Sequence, residues 1–230
     1  TETLTAGLNN RYRSLQMQFQ RPFANGFNFT VGYNYNRERN EEFFDEQDFY
    51  LRNPTYQPAR NARHRITGAA IYEIPFGKGR RFMSGAPKAL DYAFGGWSIA
   101  PLFTYNTGLF LRFGTVTVNG DPTIDEPTRQ RWFDTSKFTV QPAFTRRTNP
   151  FQYPKLVGPN TLNLDMTLAK EFPITEKVKF EIRMEGYNVS NSFFGADPDL
   201  NVNSPTFGRI VQQRGGLFGR QLQYTGRIIF

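Results

Sequence analysis

The stretch FNFTVGYNYN, residues 27–36, limits what this chain can become more than any other. Phe27, Phe29, Val31, Tyr33 and Tyr35 alternate without a break with Asn28, Thr30, Gly32, Asn34 and Asn36. Strict alternation places the two sets on opposite faces of a β-strand. Just before it, RSLQMQFQ sets Leu15, Met17 and Phe19 against Ser14, Gln16, Gln18 and Gln20. The intervening RPFANG is a turn, so the two segments are expected to form a hairpin. One face is apolar and aromatic, and the other carries almost only uncharged amides and hydroxyls.

The same period returns along the chain. RHRITGAAIYEI is a weaker strand whose facing is ambiguous, and the connector after it is expected to hold a short helical turn at residues 88–93. In WSIAPLFTYNTG, Trp97, Ile99, Phe103 and Tyr105 are in phase. Pro101 shares that phase and cannot donate to a ladder, so a local irregularity is expected there. LNLDMTLAKEF turns Leu162, Leu164, Met166 and Leu168 one way, and after the turn PITE, KVKFEIRMEGYNV does the same with Val178, Phe180, Ile182 and Met184. If Phe172 and Glu176 close this hairpin, Asp165 faces Arg183 and Thr167 faces Glu181. Such pairs on one face are worth ~0.2–1 kcal/mol each.

These segments make about seven strands, several reaching the ~9–11 residues that cross a bilayer. Their connections alternate in length. The turns at residues 21–26, 76–96 and 173–176 fall at one end, and the stretches at 37–63, 109–160 and from 190 onward fall at the other. Compact soluble β-domains seldom carry several loops beyond ~15 residues, whereas outer-membrane barrels have short periplasmic turns and long external loops. The expected fold is therefore all-β: an antiparallel, up-and-down portion of a transmembrane β-barrel. In lipid the apolar set points outward and the polar set lines the lumen. Leu15, Met17, Phe19, Phe27, Phe29, Val31, Leu164, Met166, Phe180 and Ile182 are then expected to face lipid. Gln16, Gln18, Asn28, Thr30, Asn34, Asp165, Thr167, Glu181 and Arg183 are expected to face the lumen. Aromatics near strand ends (Tyr33, Tyr35, Trp97, Tyr105) suit a headgroup boundary. A soluble β-sandwich, with the apolar set buried, is the competing arrangement.

The last strand, RQLQYTGRIIF, keeps Leu222, Tyr224, Ile228 and Phe230 in one phase, with Gly226 filling the gap. A patterned final strand ending in Phe resembles the signal read by outer-membrane assembly machinery. The glycine of that signal is displaced: Thr225 stands five residues before the end, and Gly226 follows it.

Composition removes other classes. The net charge is +8, but basic and acidic residues are mixed, as in NRERNEEFFDEQDF, which argues against a nucleic-acid partner. There are no cysteines, hence no disulfide frame or thiolate metal site. The opening TETLTAGLNN shows neither a basic start nor an apolar core of a leader, so a leader is expected to have been removed or the chain to be part of something longer. The only histidine, His64, sits between Arg63 and Arg65 and reads as structural. GADPDLN and NGDPTIDE hold oxygen ligands without the spacing of a calcium loop and read as polar loop tips. No catalytic, cofactor-binding or metal set is expected, and no enzymatic activity.

LNLDMTLAKEFPITEKVKFEIRMEGYNVSNSFFG, SPTFGRIVQQRG and RQLQYTGRIIF resemble the closing strands of TonB-dependent outer-membrane receptors. ARHRITGAAIYEIPFGKGRRF, GGWSIAPLFTYNTGL and RWFDTSKF are similar to the Oar-like subgroup of that family. The resemblance implies a barrel of about twenty-two strands, an N-terminal plug and a TonB box. On it, residues 1–230 are the C-terminal portion of the barrel, without the plug and the earlier strands. It implies energy-coupled uptake of a ligand too large or scarce for porins. The implied partners are outer-membrane lipid, the barrel assembly machinery, the remaining strands of the parent barrel and, through the missing N-terminal region, the TonB complex. A structural or adhesive barrel without active transport, and a soluble ligand-binding sandwich, are the alternatives.

Overall fold

A computed structural model of the protein describes residues 7–147 and 149–230. The opening residues 1–6, scanned above for a leader, lie outside the described part, as does Thr148 in the longest connection. The chain starts with two long strands, β1 (Asn10–Ala24) and β2 (Phe27–Glu42), joined by a turn in which Asn25 and Gly26 both take positive φ. A short helix α1 (Glu46–Tyr50) and strand β3 (Thr55–Pro58) lead to β4 (His64–Glu73). Helix α2 (Lys88–Phe94), where a helical turn is expected, precedes β5 (Trp97–Asn106). Four short strands follow: β6 (Phe110–Arg112), β7 (Val116–Val118), β8 (Phe138–Val140) and β9 (Gln152–Val157). The chain closes with β10 (Thr161–Pro173), β11 (Lys179–Tyr187) and β12 (Gln221–Ile229).

One antiparallel sheet runs β1-β2-β4-β5-β10-β11-β12, with β3 added on β2 beyond the end of β4. Every neighbour along this path is also the next long strand in the chain, as the alternation predicts for an up-and-down order. Because β1 and β12 lie at the two ends of the path, each has one edge without a partner among the described residues. Near Pro101 the β4–β5 ladder passes from Ala69↔Leu102 to Tyr72↔Ile99 without the rungs between, while β5 stays continuous. The irregularity expected of the proline is therefore a gap on one side only.

The β10–β11 hairpin departs from the expected register. Pro173 pairs with Lys179, so the loop is residues 174–178 and not the three residues after Phe172. The Oγ1 of Thr175 accepts from the amide of Val178 at 3.0 Å, and the amides of Ile174 and Thr175 donate to the Val178 carbonyl at 2.9 and 3.0 Å. This bonding holds the wider loop. Thr167 consequently opposes Glu185, and Arg183 opposes Ala169. The expected pairs Asp165–Arg183 and Thr167–Glu181 do not form. The slip is an even number of residues, so every side chain keeps its face.

The long segment between β5 and β10, read as polar loop without a period, contains the protein's buried core. Leu111, Phe113, Val116, Phe133, Phe138 and Leu156 pack together there, with Leu200, Val202 and Phe207 from the β11–β12 connection against them. Phe113 stacks on Phe138 at 4.7 Å, and Phe207 meets Phe133 and Phe138 edge-on at 5.3 and 5.4 Å. The amide of Trp132 donates to the Gly208 carbonyl and that of Ile210 to the Arg129 carbonyl, both at 2.8 Å. Two connections from one end of the sheet thus form a folded cap. At its root a Cβ on Gly108 would lie 1.7 Å from the Gly158 carbonyl oxygen, so only glycine allows the two backbones to approach so closely there.

Candidate functional site

Register and period together decide what each face of the sheet presents. Leu15, Met17 and Phe19 pair with Tyr35, Tyr33 and Val31. Phe29 follows with Ala70, Phe103 with Leu164, Leu168 with Met184, and Phe180 with Ile228. Directly opposed residues share a face, so the apolar sets of all seven long strands lie on one side. All ten residues expected to face lipid are on it, including Phe27, Val31, Met166 and Ile182, together with Leu222, Tyr224, Gly226 and Ile228 of β12. The Phe180 ring lies 3.5 Å from where a Cβ of Gly226 would stand and fills the gap the glycine leaves. Phe230 lies just past β12. No second layer among the described residues covers this face: Phe19 is 62%, Leu222 54% and Ile228 62% exposed. Those values exclude the sandwich arrangement, in which the same residues would be buried.

The apolar band is bounded by aromatic rims. At the end nearer the long connections, Tyr33 and Tyr35 flank His64, whose Nδ1 is 2.8 Å from the Tyr33 hydroxyl. At the other end, Phe27 meets Tyr72 at 6.0 Å and Phe172 meets Phe180 at 6.2 Å. One charge that pattern reading passed over, Lys170, shares the apolar side. It is buried beneath α2, where Nζ donates to the Gly95 carbonyl at 2.5 Å and lies 5.1 Å from the Trp97 ring. Its position in phase with Leu168 was the visible signal.

The opposite face is mainly polar, although Ile71, Leu102 and Ile229 also lie on it. Gln16, Gln18, Asn28, Thr30 and Asn34 share it with Thr67, Thr104, Asp165, Thr167, Glu181 and Arg183. A depression of ≈ 790 Å³ on this side is lined by Gln16, Gln18, Asn34, Asn36, Arg65, Thr67 and Asn106, among others. The Asn36 amide donates to the Ala62 carbonyl at 2.8 Å, while its buried oxygen has no partner. This open acceptor beside donors and a guanidinium is suited to a polar ligand or to water. Nearer the short turns the face is charged. Glu181, almost fully buried, lies 2.9 Å from Arg227 Nε and 3.3 Å from Arg183 Nε, and Arg183 also reaches Glu185 at 3.5 Å. Asp165 instead accepts from Asn163 Nδ2 at 3.0 Å and from the Asn188 amide at 2.8 Å, anchoring the start of the β11–β12 connection.

The cap is held by its own polar network. Arg147 is buried, stacks over the Phe151 ring at 3.8 Å, and donates to the carbonyls of Phe113, Gly114, Asn149 and Pro150. Burial lowers its pKa, yet a guanidinium still keeps its proton. Asp197 of the GADPDLN segment pairs with Arg60 and lies 3.9 Å from Arg214, tying the β2–β4 connection to the β11–β12 connection. Arg146 joins Asp45 and Asp48 at 3.4 and 2.7 Å. Asp199, within the same segment as Asp197, is held below the usual carboxylate range by the Ser204 and Thr206 hydroxyls and the Asn201 amide. Asp121 of NGDPTIDE accepts from the amide and hydroxyl of Thr123 at 3.0 and 2.8 Å. Both segments thus spend carboxylates on turns and ion pairs.

The family model of the outer membrane beta barrel domain matches residues 1–223. The chain belongs to that family. No match was found among curated proteins or solved structures. An outer membrane beta barrel domain resides in the bacterial outer membrane, where strands cross only with every backbone group paired. Barrels of this class keep short turns in the periplasm and long connections outside. The turn at Asn25 and Gly26, the α2 connector and the loop at 174–178 are then periplasmic, and the cap is external.

Proposed function

We propose that this outer membrane beta barrel domain is the C-terminal part of a TonB-dependent receptor of the Oar-like subgroup, taking up a ligand by energy-coupled transport. In this reading the apolar face meets lipid, the amide-lined depression and the cap above it contact the ligand, and the chain does no covalent chemistry. The observation that carries it is the open sheet. Seven long strands with an edge at each end that has no partner among the described residues cannot stand alone in hydrocarbon, because unpaired amides and carbonyls there cost several kcal/mol each. Further strands of a larger barrel would pair β1 and β12, as the family resemblance implies. The assembly machinery would read the last strand through Leu222, Tyr224, Gly226, Ile228 and Phe230. The TonB complex would act through a plug encoded upstream.

Two measurements test the proposal. The gene upstream of Thr1 should encode a plug and a TonB box. Cells lacking either this gene or TonB should then lose the same nutrient from their uptake profile. An upstream region without a plug, or a deletion strain whose uptake matches the wild type, would contradict it. The packed cap favours one second reading, an adhesive barrel. That reading predicts loss of surface attachment, with uptake intact, when the cap is removed.

A further inference from the structure

The outer end of the β1–β2 hairpin carries a charge arrangement that the linear sequence conceals. Arg11 stands directly opposite Arg39, and Arg13 opposite Arg37. All four are exposed and occupy the phase of Leu15, Met17 and Tyr35, so they lie on the apolar side of the sheet. Opposed Cβ atoms are about 5 Å apart and successive same-face positions about 7 Å, so the four guanidiniums rise from one small patch. Like charges placed directly opposite each other destabilise a ladder. Among the described residues none of the four has an ion pair.

The nearby acids compensate only in part: Glu41 lies on the same face, near enough for Arg11 to act on it through its charge, but forms no ion pair with it. Glu38 points to the polar face, where Asn10 and Asn61 donate to it at 2.6 and 2.7 Å. Glu42 is engaged by Arg112 at 2.7 Å. Glu41 accepts from the Asn9 amide and side chain at 2.8 and 2.9 Å, and Arg11 lies over the Tyr56 ring at 4.2 Å. The patch begins two positions beyond Leu15 and Tyr35, where the apolar band stops on the external side. At that height a membrane presents headgroups. Guanidinium groups match phosphate oxygens with paired hydrogen bonds.

We propose that Arg11, Arg13, Arg37 and Arg39 clamp the phosphate of an anionic lipid headgroup in the outer leaflet. Such a headgroup neutralises the opposed arginines and seats the β1–β2 hairpin at a fixed depth. The proposal rests on the apolar face meeting lipid.

The test uses the protein purified in detergent from its own outer membrane, with retained lipid A measured by mass spectrometry. Wild type is compared with the R11Q/R13Q/R37Q/R39Q variant and, as control, with R81Q in the connection between β4 and α2, at the opposite end of the sheet. Each cation near an anionic surface strengthens attraction severalfold, so retention in the quadruple variant should fall by roughly tenfold or more. R81Q should retain lipid like the wild type. Rebinding from vesicles should require bisphosphorylated lipid A over its dephosphorylated form and should resist millimolar inorganic phosphate. Equal retention in the quadruple variant, or an equal loss in R81Q, would overturn the clamp. Full displacement by inorganic phosphate would mark a site for the free anion and overturn the lipid assignment. If the wild-type protein leaves membranes without detergent, the lipid-facing reading itself fails. Membrane retention with unchanged lipid A rejects the clamp alone.

Discussion

A buried arginine is costly unless its donors are used, and Arg147 uses them on backbone. It holds the carbonyls of Phe113, Gly114, Asn149 and Pro150, groups of the cap that no strand pairs. Arg147→Met keeps much of the stem's packing but strands those acceptors. An unpaired buried polar group costs ~1–3 kcal/mol, so the cap should unfold at clearly lower urea than in the wild type. The chain has two tryptophans, and Trp132 lies in the cap with its indole N–H donating to the Val157 carbonyl at 2.8 Å. In a Trp97→Phe background its emission reports the cap alone, and an unshifted midpoint would remove Arg147 from this role. Carboxylates make the cap acid-sensitive. The Ser136 hydroxyl lowers the pKa of Asp134, the Asp48 amide and then Arg146 lower that of Asp45, and Ser204 and Thr206 lower that of Asp199. A depressed folded pKa stabilises the folded form above the unfolded value of about 3.9 and is lost as pH falls through the folded one. Trp132 emission should therefore stay constant from pH 8 to about pH 4 and change only below that value. A transition near pH 6 would point to another group.

At the scale of elements, period and register came from different sources. Shared faces were legible because a two-residue period survives any even slip: Phe29 and Leu164 lie on one face, and Glu181 and Arg183 on the other. The β10–β11 register was not, because it depends on the loop that Thr175 holds open through the amide of Val178. The cap's core was illegible for another reason. Leu111, Phe113, Val116, Phe133, Phe138 and Leu156 are spaced without a period and meet only through tertiary packing. Charge was hidden in the opposite way. NRERNEE reads as mixed, yet alternation sends Arg37 and Arg39 to one face and Glu38 to the other. The register can be checked directly, since the chain has no cysteine of its own. Thr167→Cys with Glu185→Cys, which are directly opposed, should form a disulfide under mild oxidation. Asp165→Cys with Arg183→Cys should not, because a four-residue offset separates them by about 14 Å along the strands. Efficient bridging of the second pair would restore the three-residue loop and displace the observed one.

For the whole molecule, two environments act on one sheet, and a single pair of substitutions separates them. Val31 and Thr30 are adjacent in β2, differ by one position in depth, and lie on opposite faces. Val31 lies midway along the apolar run from Phe27 to Tyr35, between the two aromatic rims. A charge there would stand near the middle of the hydrocarbon, where an arginine costs ~2–4 kcal/mol in a barrel. Thr30 is exposed on the amide face, beside Gln20 and Ala69. If that face lines the lumen, an arginine there meets water and has room to extend. In phospholipid vesicles, Val31→Arg should lower the urea stability of the assembled barrel by that amount, while Thr30→Arg should change it by less than about 1 kcal/mol. The comparison controls for strand propensity and for added bulk, because both variants place the same side chain on the same strand. Should the ranking reverse, the amide face would be the one against lipid, and the outward assignment of every strand would turn over with it.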